Sequence, residues 1–144
     1  MEKITFKEID EFRPNYLSDI NHLLSQLSNH PVNLEETDLH DIISSTCSRL
    51  FMLLHEGHGI GMISLCSYKS PTGTKAWIED VVIDSAFRNK GLGRLMMKNV
   101  VDIVRCQGDA TIMLTSRPSR IAANQLYQSL GFEKKETNVY KMKF

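Results

Sequence analysis

Two glycines fall in the first turn of a predicted helix, among basic residues. Gly91 and Gly93 open an amphipathic stretch, with Arg88, Lys90 and Arg94 around them. Glycine lets a ligand approach the backbone closely, and the free amides and dipole of a helix N-terminus favour an anion. The pattern indicates a phosphate or pyrophosphate site; the alternative is a turn with solvated basic residues. Neither GxxxxGK[ST] nor GxGxxG is present, which excludes the commoner phosphate loops.

Two acids interrupt the otherwise apolar predicted strand that precedes this turn. Ionised Glu79 and Asp80 need a partner or a function there, so either could act as a base that takes up a proton, or pair with an Arg or Lys. Alternation along a strand predicts that the two acids face opposite sides. It groups Glu79 with Trp77, Val81 and Ile83, and Asp80 with Ile78 and Val82. A β-bulge would upset this grouping and favour Asp80.

Hydrophobic periodicity predicts the elements that position these residues. The predicted strands are 3–9, 49–55, 60–68, 76–84, 110–115 and 138–144, and the predicted helices are 15–29, 35–48, 91–107 and 119–130. Because helices are inserted between the strands, we expect an α/β (α+β) fold with a mixed central sheet of about six to seven strands and helices on both faces. We expect one domain, 1–144.

The helix predicted over 91–107 carries one continuous apolar stripe. Its members recur at helical spacing and are Leu92, Leu95, Met96, Val100, Ile103 and Val104. Met96 and Met97 are expected to fill the core rather than bind a ligand. Asn89 could cap the helix start.

Composition narrows the possible partners. Lys plus Arg and Asp plus Glu number 17 each, so no global field attracts nucleic acid or an anionic membrane. No apolar run is long enough to span a membrane, and the N-terminus is not a signal peptide. Three widely separated cysteines predict reduced thiols in the cytoplasm. His55 and His58 flank a turn with nothing to complete a metal site, so no metal is expected.

Two motifs, in order, are similar to those of the GNAT (GCN5-related N-acetyltransferase) family. One is Arg88-x-x-Gly91-x-Gly93, directly after a strand and opening a helix; the other is the segment 122–132, AANQLYQSLGF, with Leu-Tyr before Gly-Phe. The family pattern often has an Asn seven residues before the Tyr, where this chain has Arg120. The resemblance covers about residues 50–144 well and implies a GNAT-like fold.

The resemblance implies that this chain binds acetyl-CoA. The strand would hold the pantetheine arm and the loop the pyrophosphate, so the implied binding residues are Val81, Val82, Ile83, Arg88, Asn89, Lys90, Gly91, Leu92, Gly93, Arg94 and Asn124. A backbone amide near Val82 or Ile83 would stabilise the oxyanion. Gly131 is expected to end the helix that precedes it, with Phe132 packed back on the sheet.

For catalysis, the resemblance favours Glu79 as the base, with Asp80 as the alternative, and Tyr127 as the acid that protonates the thiolate. Helical spacing also places Tyr127 on or beside a buried stripe, where a tyrosine is more often part of the core. Arg117 and Arg120 could reach coenzyme A phosphates or an acidic substrate, or lie on the surface.

The resulting expectation is direct acetyl transfer from acetyl-CoA to an amine, preferably of a small molecule. The alternatives are a non-catalytic acyl-CoA-binding regulatory module and a protein or peptide N-acetyltransferase. Tyr140, Met142 and Phe144 alternate in the last predicted strand, and a homodimer could form through that strand.

Overall fold

The protein is built around a mixed sheet of five strands, seen in a computed structural model that describes residues 3–144. The strands are β1 (Ile4–Glu8), β2 (Ser48–His55), β3 (His58–Ser70), β4 (Gly73–Ile83) and β5 (Thr111–Met113). They lie in chain order across the sheet. β1 to β4 pair with one another in antiparallel fashion, whereas β5 is parallel to β4, which confirms the predicted mixed sheet.

Four helices cover the two faces of the sheet, as predicted. They are α1 (Pro14–Leu27), α2 (Glu36–Ser44), α3 (Leu92–Cys106) and α4 (Ile121–Ser129), with a single 3₁₀ turn (Ser85–Phe87) before α3. One hydrophobic core joins the sheet to α3 and α4, and a second joins its other face to α1 and α2. The sheet therefore separates the two helical layers.

The core beneath α3 is filled by the residues that the apolar periodicity selected, with one exception. Met96, Met97 and Val100 are fully buried, which confirms both methionines as core residues. Leu95, which was predicted to be buried, is 42% exposed. A buried stripe on a helix is narrower than the full set of apolar positions, and Leu95 lies at its margin.

The β2–β3 hairpin closes with a two-residue turn. Glu56 and Gly57 both have positive φ, at 52° and 80°, and His55 pairs with His58 across them. Two positive φ values in a two-residue loop match the twist of the flanking strands. The turn predicted in this region is thus confirmed, and β3 begins at His58, directly after it.

The strand predicted over 138–144 is not formed, and this lowers the strand count below the six to seven expected. Residues 133–144 contain no helix or strand and are exposed. Alternating apolar residues do predict a strand, but a strand also needs a neighbouring edge to bond with. Sequence periodicity does not specify which edge a segment bonds to, and residues 133–144 form no backbone hydrogen bond with the outer edge of β5.

The helices of the described residues 3–144 include none with the length and apolar character that crossing a membrane requires.

Candidate active site

Strands β4 and β5 run side by side for only three residue pairs and then separate. Their pairing covers Lys75 to Trp77 on β4 and Thr111 to Met113 on β5. Beyond Trp77, the edge of β4 that faces away from β3 has no strand neighbour within residues 3–144. Backbone groups at this edge, around Val81 to Ile83, can therefore bond to something other than a strand.

A β-bulge lies within this open part of β4. Met62 is opposite Val82, but Ser64 is opposite Glu79, so two β4 residues, Asp80 and Val81, share one partner position on β3. Asp80 takes φ 51°, a left-handed conformation that costs a non-glycine residue about 1–2 kcal/mol. Strain at a sparsely populated conformation often accompanies a functional site.

The bulge changes which residues share a face, so the alternation predicted for 77–83 is wrong. Ile78 packs in the core beneath α3, whereas Val82 belongs to the core beneath α1 and α2. Val81 and Ile83 pack against the α3 core together with Ile78. The extra residue in β4 shifts the two-residue period by one, which exchanges the faces after Asp80.

Glu79 and Asp80 are both exposed and have no cationic partner. Neither carboxylate forms a hydrogen bond or ion pair with another residue of the described chain, so the alternative of a structural ion pair is wrong. Asp80 keeps contact with solvent, yet surrounding protein desolvates its carboxylate and raises its pKa above the ordinary value. A carboxylate with a raised pKa is a stronger base once ionised.

The start of α3 leaves its first amides available. Gly91 is the N-cap residue with φ 74°, and no side chain caps this end, so the predicted capping by Asn89 is wrong. Asn89 instead adopts a left-handed conformation of its own, φ 63°. The first backbone bond of the helix runs from the Leu95 amide to the Gly91 carbonyl, 3.1 Å. Within residues 3–144, the amides of 89–94 have no protein acceptor.

Three cationic side chains surround this helix end without a carboxylate partner in the described chain. Arg88 Nε donates to the Ile83 carbonyl, Arg94 donates to Ser129 Oγ at 2.8 Å, and the Lys90 ammonium lies 5.3 Å from the Phe87 ring centroid. Their positive charge adds to the positive end of the helix dipole. The arrangement fits a pyrophosphate, which needs exposed amides and uncompensated cations.

The two glycines of this loop serve different purposes. A Cβ on Gly91 would meet no atom within 4 Å, so its positive φ is the reason for glycine there. A Cβ on Gly93 would lie 3.6 Å from Leu126 and 4.0 Å from Ile83, an ordinary packing distance. Gly93 therefore marks the point where α3, α4 and β4 meet.

Tyr127 is buried where α4 faces the α3 core. The residue is 6% exposed, and its ring contacts Phe132 edge-to-face, with 6.3 Å between ring centroids. Burial raises the pKa of Tyr127, while the nearby Arg120 cation opposes that rise without cancelling it. Tyr127 is therefore a protonated phenol at neutral pH, the form that can donate a proton.

The end of α4 has the predicted geometry. Gly131 adopts φ 101°, and the amide of Phe132 donates to the Tyr127 carbonyl at 3.1 Å. Phe132 thereby packs back against the α3 core, as expected. At the other end, Asn124 Nδ2 donates to the Arg117 carbonyl at 2.9 Å, so this side chain braces the loop between β5 and α4.

A comparison with models of known protein families assigns the chain to one of them. The Acetyltransferase (GNAT) family model matches residues 15–132. The chain belongs to the GNAT acetyltransferase family. It is 28% identical over 117 residues to N-acetyltransferase family 8 member 3 of Mus musculus, covering 77% of this chain and 52% of that protein. It is 36% identical over 58 residues to the [ribosomal protein bS18]-alanine N-acetyltransferase of Escherichia coli K12, covering 40% and 39% respectively. The chain thus spans about half the length of these curated relatives, or less.

Solved structures show the same GNAT fold. Aminoglycoside N-acetyltransferase AAC(6')-Iy in complex with CoA superposes with a TM-score of 0.79 at 18% identity, covering 99% of this chain and 96% of that one. Glucosamine-6-phosphate N-acetyltransferase from Arabidopsis thaliana gives a TM-score of 0.75 at 23% identity, covering 96% and 98%. At these identities the comparison establishes the fold.

The structure of this GNAT chain brings most of the sequence-selected residues to one place. The start of α3 meets the end of β4 through Arg88 and Gly93, and it meets α4 through Gly93 and Arg94. Glu79 and Asp80 lie a few residues along β4, at the bulge. The His55 ring packs against Phe87, with 5.3 Å between ring centroids, just before the glycine loop. Residues 3–144 contain no cluster of three or more His, Cys, Asp or Glu suited to a metal.

A polar anchor that the sequence did not reveal holds α1 against the turn after β4. Gln26 Nε2 donates to Asp84 Oδ1 at 3.2 Å, and the Ser85 amide donates to Gln26 Oε1 at 2.8 Å. His22 Nε2 lies 3.5 Å from Asp84 Oδ2. The partners are more than fifty residues apart in the sequence, and no local motif marks them. The anchor steadies the chain just before the glycine loop.

Proposed function

We propose that this chain is an acetyl-CoA-dependent N-acetyltransferase that acetylates an amine, most simply that of a small molecule. One observation carries the proposal: a glycine-capped, cation-surrounded helix end lies beside the open edge of β4. Acetyl-CoA, when bound, supplies the acetyl group as an activated thioester. The chain's own residues must then hold the donor, accept one proton and deliver another.

The donor is held by the β4 edge and the loop after it. The free amides of 89–94 and the charges of Arg88, Lys90 and Arg94 suit the pyrophosphate. The unpaired edge around Val81 to Ile83 offers backbone groups to the amides of a pantetheine arm. A free amide of this segment would also stabilise the negative charge that develops on the carbonyl oxygen.

The proton of the amine goes to a carboxylate at the bulge. Glu79 is the base that the family resemblance favours, but the bulge and the desolvation of Asp80 favour Asp80. We therefore assign the role to Asp80, acting through a water, with Glu79 as the alternative. An amine of lysine-like pKa, about 10.4, is protonated at neutral pH and needs such a base.

The thiolate that leaves receives its proton from Tyr127. The phenol is buried at the junction of α3 and α4, and its raised pKa keeps it protonated until the thiolate forms. Transfer is direct in this scheme, and the free thiols of Cys47, Cys66 and Cys106 take no part in it.

A small-molecule acceptor is supported by two structural neighbours that are named for amino-sugar substrates. An amine of a protein or peptide is the second candidate, because the similarity to the bS18-alanine N-acetyltransferase is 36% over 58 residues. The two differ in the acceptor, and both need the same donor site.

Thermal unfolding with and without acetyl-CoA tests the donor site, with NADH and ATP as matched controls. A ligand at about one hundred times its dissociation constant stabilises a fold by about 2.7 kcal/mol. We expect a higher melting temperature with acetyl-CoA alone. No shift at millimolar acetyl-CoA would refute the proposal. If the shift is present, measuring thiol release with a panel of amines and with a peptide would distinguish the two acceptor classes.

A further inference from the structure

Gln26, in the last turn of α1, bonds to two consecutive residues of the connection between β4 and α3. Its Nε2 donates to Asp84 Oδ1 at 3.2 Å, and its Oε1 accepts from the Ser85 amide at 2.8 Å. Glutamine suits this position because its amide carries a donor and an acceptor together, whereas a glutamate could only accept and a lysine could only donate. His22, one turn earlier on the same helix face, lies 3.5 Å from Asp84 Oδ2. The end of α1 therefore holds this connection by its side chains.

The connection that Gln26 holds contains the single 3₁₀ turn that follows β4. Asp84 closes this turn twice, because its side chain accepts from the Ala86 amide at 3.3 Å and its carbonyl accepts from the Phe87 amide at 2.8 Å. A turn of this length has few internal bonds, and their geometry is poor, so contacts with other elements decide how it is oriented. β3 supplies one of them, since the Ile60 carbonyl accepts from the Asp84 amide at 2.8 Å. The bonds from Gln26 supply the contact from the other side.

The orientation of this turn determines where the glycine loop, residues 88–94, begins. The Phe87 ring at the end of the turn lies 5.3 Å from the Lys90 ammonium. The next residue, Arg88, donates across the turn to the Ile83 carbonyl at 3.2 Å. Gly91 follows three residues later and caps α3. The cations and the helix end that suit a pyrophosphate thus depend on a turn that α1 helps to hold.

We propose that Gln26 is a positioning residue of the donor site, which holds the turn before the glycine loop in the orientation that acetyl-CoA binding requires. It acts through Asp84 and Ser85 rather than by contact with the ligand. Because α1 packs on the sheet face opposite α3, this residue joins the two helical layers at the donor site. The role rests on the proposed acetyltransferase function, since the donor site is the same one.

Loss of the bonds from Gln26 should let the turn occupy several orientations, only one of which suits the ligand. If that orientation is populated about one-tenth of the time, the apparent affinity for coenzyme A falls about tenfold. The contacts of the bound ligand itself are unchanged. Once acetyl-CoA is bound, the variant should therefore turn over at nearly the wild-type rate.

Calorimetric titration of the full chain with coenzyme A measures the first effect. Gln26→Leu removes both bonds at similar side-chain volume and should weaken binding about tenfold. Asn21→Leu is the matched control, because Asn21 also makes two bonds from α1, but to the amide and carbonyl of Leu34, at 2.7 and 2.9 Å, in the loop before α2. It should lower the melting temperature comparably and leave the affinity unchanged. Equal losses of affinity in the two variants would show that α1 only stabilises the fold, and would overturn the proposal.

Exchanging the amide and the carboxylate tests the contact itself. Gln26→Glu alone sets two carboxylates against each other and should weaken binding at least as much as Gln26→Leu. Gln26→Glu combined with Asp84→Asn restores an amide–carboxylate pair with the roles reversed, and a carboxylate at position 26 still accepts from the Ser85 amide. The double variant should bind coenzyme A more tightly than Gln26→Glu alone. Absence of this recovery would count against the contact and overturn the proposal.

Steady-state kinetics distinguish positioning from a part in the chemical step. Gln26→Leu should raise the KM for acetyl-CoA and retain kcat, whereas a lower kcat with an unchanged KM would overturn the positioning role. A wild-type chain that does not bind coenzyme A would refute the proposed function and this role with it. Wild-type binding with the same affinity in Gln26→Leu would refute the role of Gln26 alone.

Discussion

Arg88 Nε donates a 3.2 Å hydrogen bond to the carbonyl oxygen of Ile83, which ties the loop before α3 to the end of β4. The bond uses one of the donors of a guanidinium that has several, and the rest of this exposed cation stays available. The edge of β4 and the start of α3 are therefore fixed relative to each other before any ligand binds. Preorganisation of this kind reduces the cost of binding.

Gly91→Asp should abolish coenzyme A binding while the fold survives. The substitution puts a negative charge at the helix end where an anion is proposed to bind, and Asp tolerates a left-handed φ better than most residues. Gly91→Asn is the matched control, because it has the same size and backbone tolerance without the charge. Calorimetric titration with coenzyme A should find weakened binding for Asn and none for Asp. Equal affinity of the two variants would contradict the anion site.

Asp80→Asn should lower turnover by roughly 10²–10⁴, the usual contribution of a general base. Asn also tolerates the left-handed φ at this position. Glu79→Gln is the control and should have a much smaller effect. Steady-state rates with saturating acetyl-CoA measure both variants, and the reverse order of effects would return the role to Glu79.

The raised pKa of Asp80 also predicts a pH dependence. Because the folded state holds this proton more tightly than the unfolded chain, the residue's contribution to stability is complete below the unfolded pKa and is lost as pH rises through the folded pKa. Activity should rise as pH rises through the pKa of Asp80 in the folded protein, because the base ionises there. At neutral pH, Asp80→Asn should therefore unfold at the same temperature as the wild type or higher. A clearly lower melting temperature would show that the carboxylate stabilises the bulge.

Tyr127→Phe should reduce turnover with little change in coenzyme A affinity. The ring and its contact with Phe132 are retained, so the variant removes only the hydroxyl. Pre-steady-state thiol release and equilibrium binding separate the two effects. Unchanged turnover would make Tyr127 a core residue and nothing more.

Asp84→Asn should destabilise the fold by about 1.5–3 kcal/mol at neutral pH, the range for hydrogen bonds to a charged group. Burial alone would raise the pKa of Asp84, but bonds from Gln26 and the Ala86 amide and the proximity of His22 together hold it below the ordinary value. Its stabilisation is thus present above the unfolded pKa and is lost as pH falls through the folded pKa. Denaturant unfolding of both proteins should converge in strong acid. A difference that persists there would point to lost packing instead.

Local sequence patterns were sufficient to predict most of the helices and strands and the loop at the start of α3. The stripe on α3 and the paired glycines at its start depend on residues close together in the chain, so short-range periodicity and backbone chemistry reveal them. The end of α4 at Gly131 was predictable for the same reason. Leu95 shows what periodicity cannot predict, because its exposure depends on how far the neighbouring elements extend over α3.

The sequence by itself determined the layered α/β arrangement and the family, through two motifs that keep their spacing within single loops and helices. Only the tertiary structure decided the bulge at Asp80, the anchor between Gln26 and Asp84, and the absence of a strand over 138–144 within the described chain. Each of these depends on a partner far away in the sequence. A bulge needs an opposing strand with one residue fewer, and a strand needs an edge, so no pattern confined to one segment can specify either.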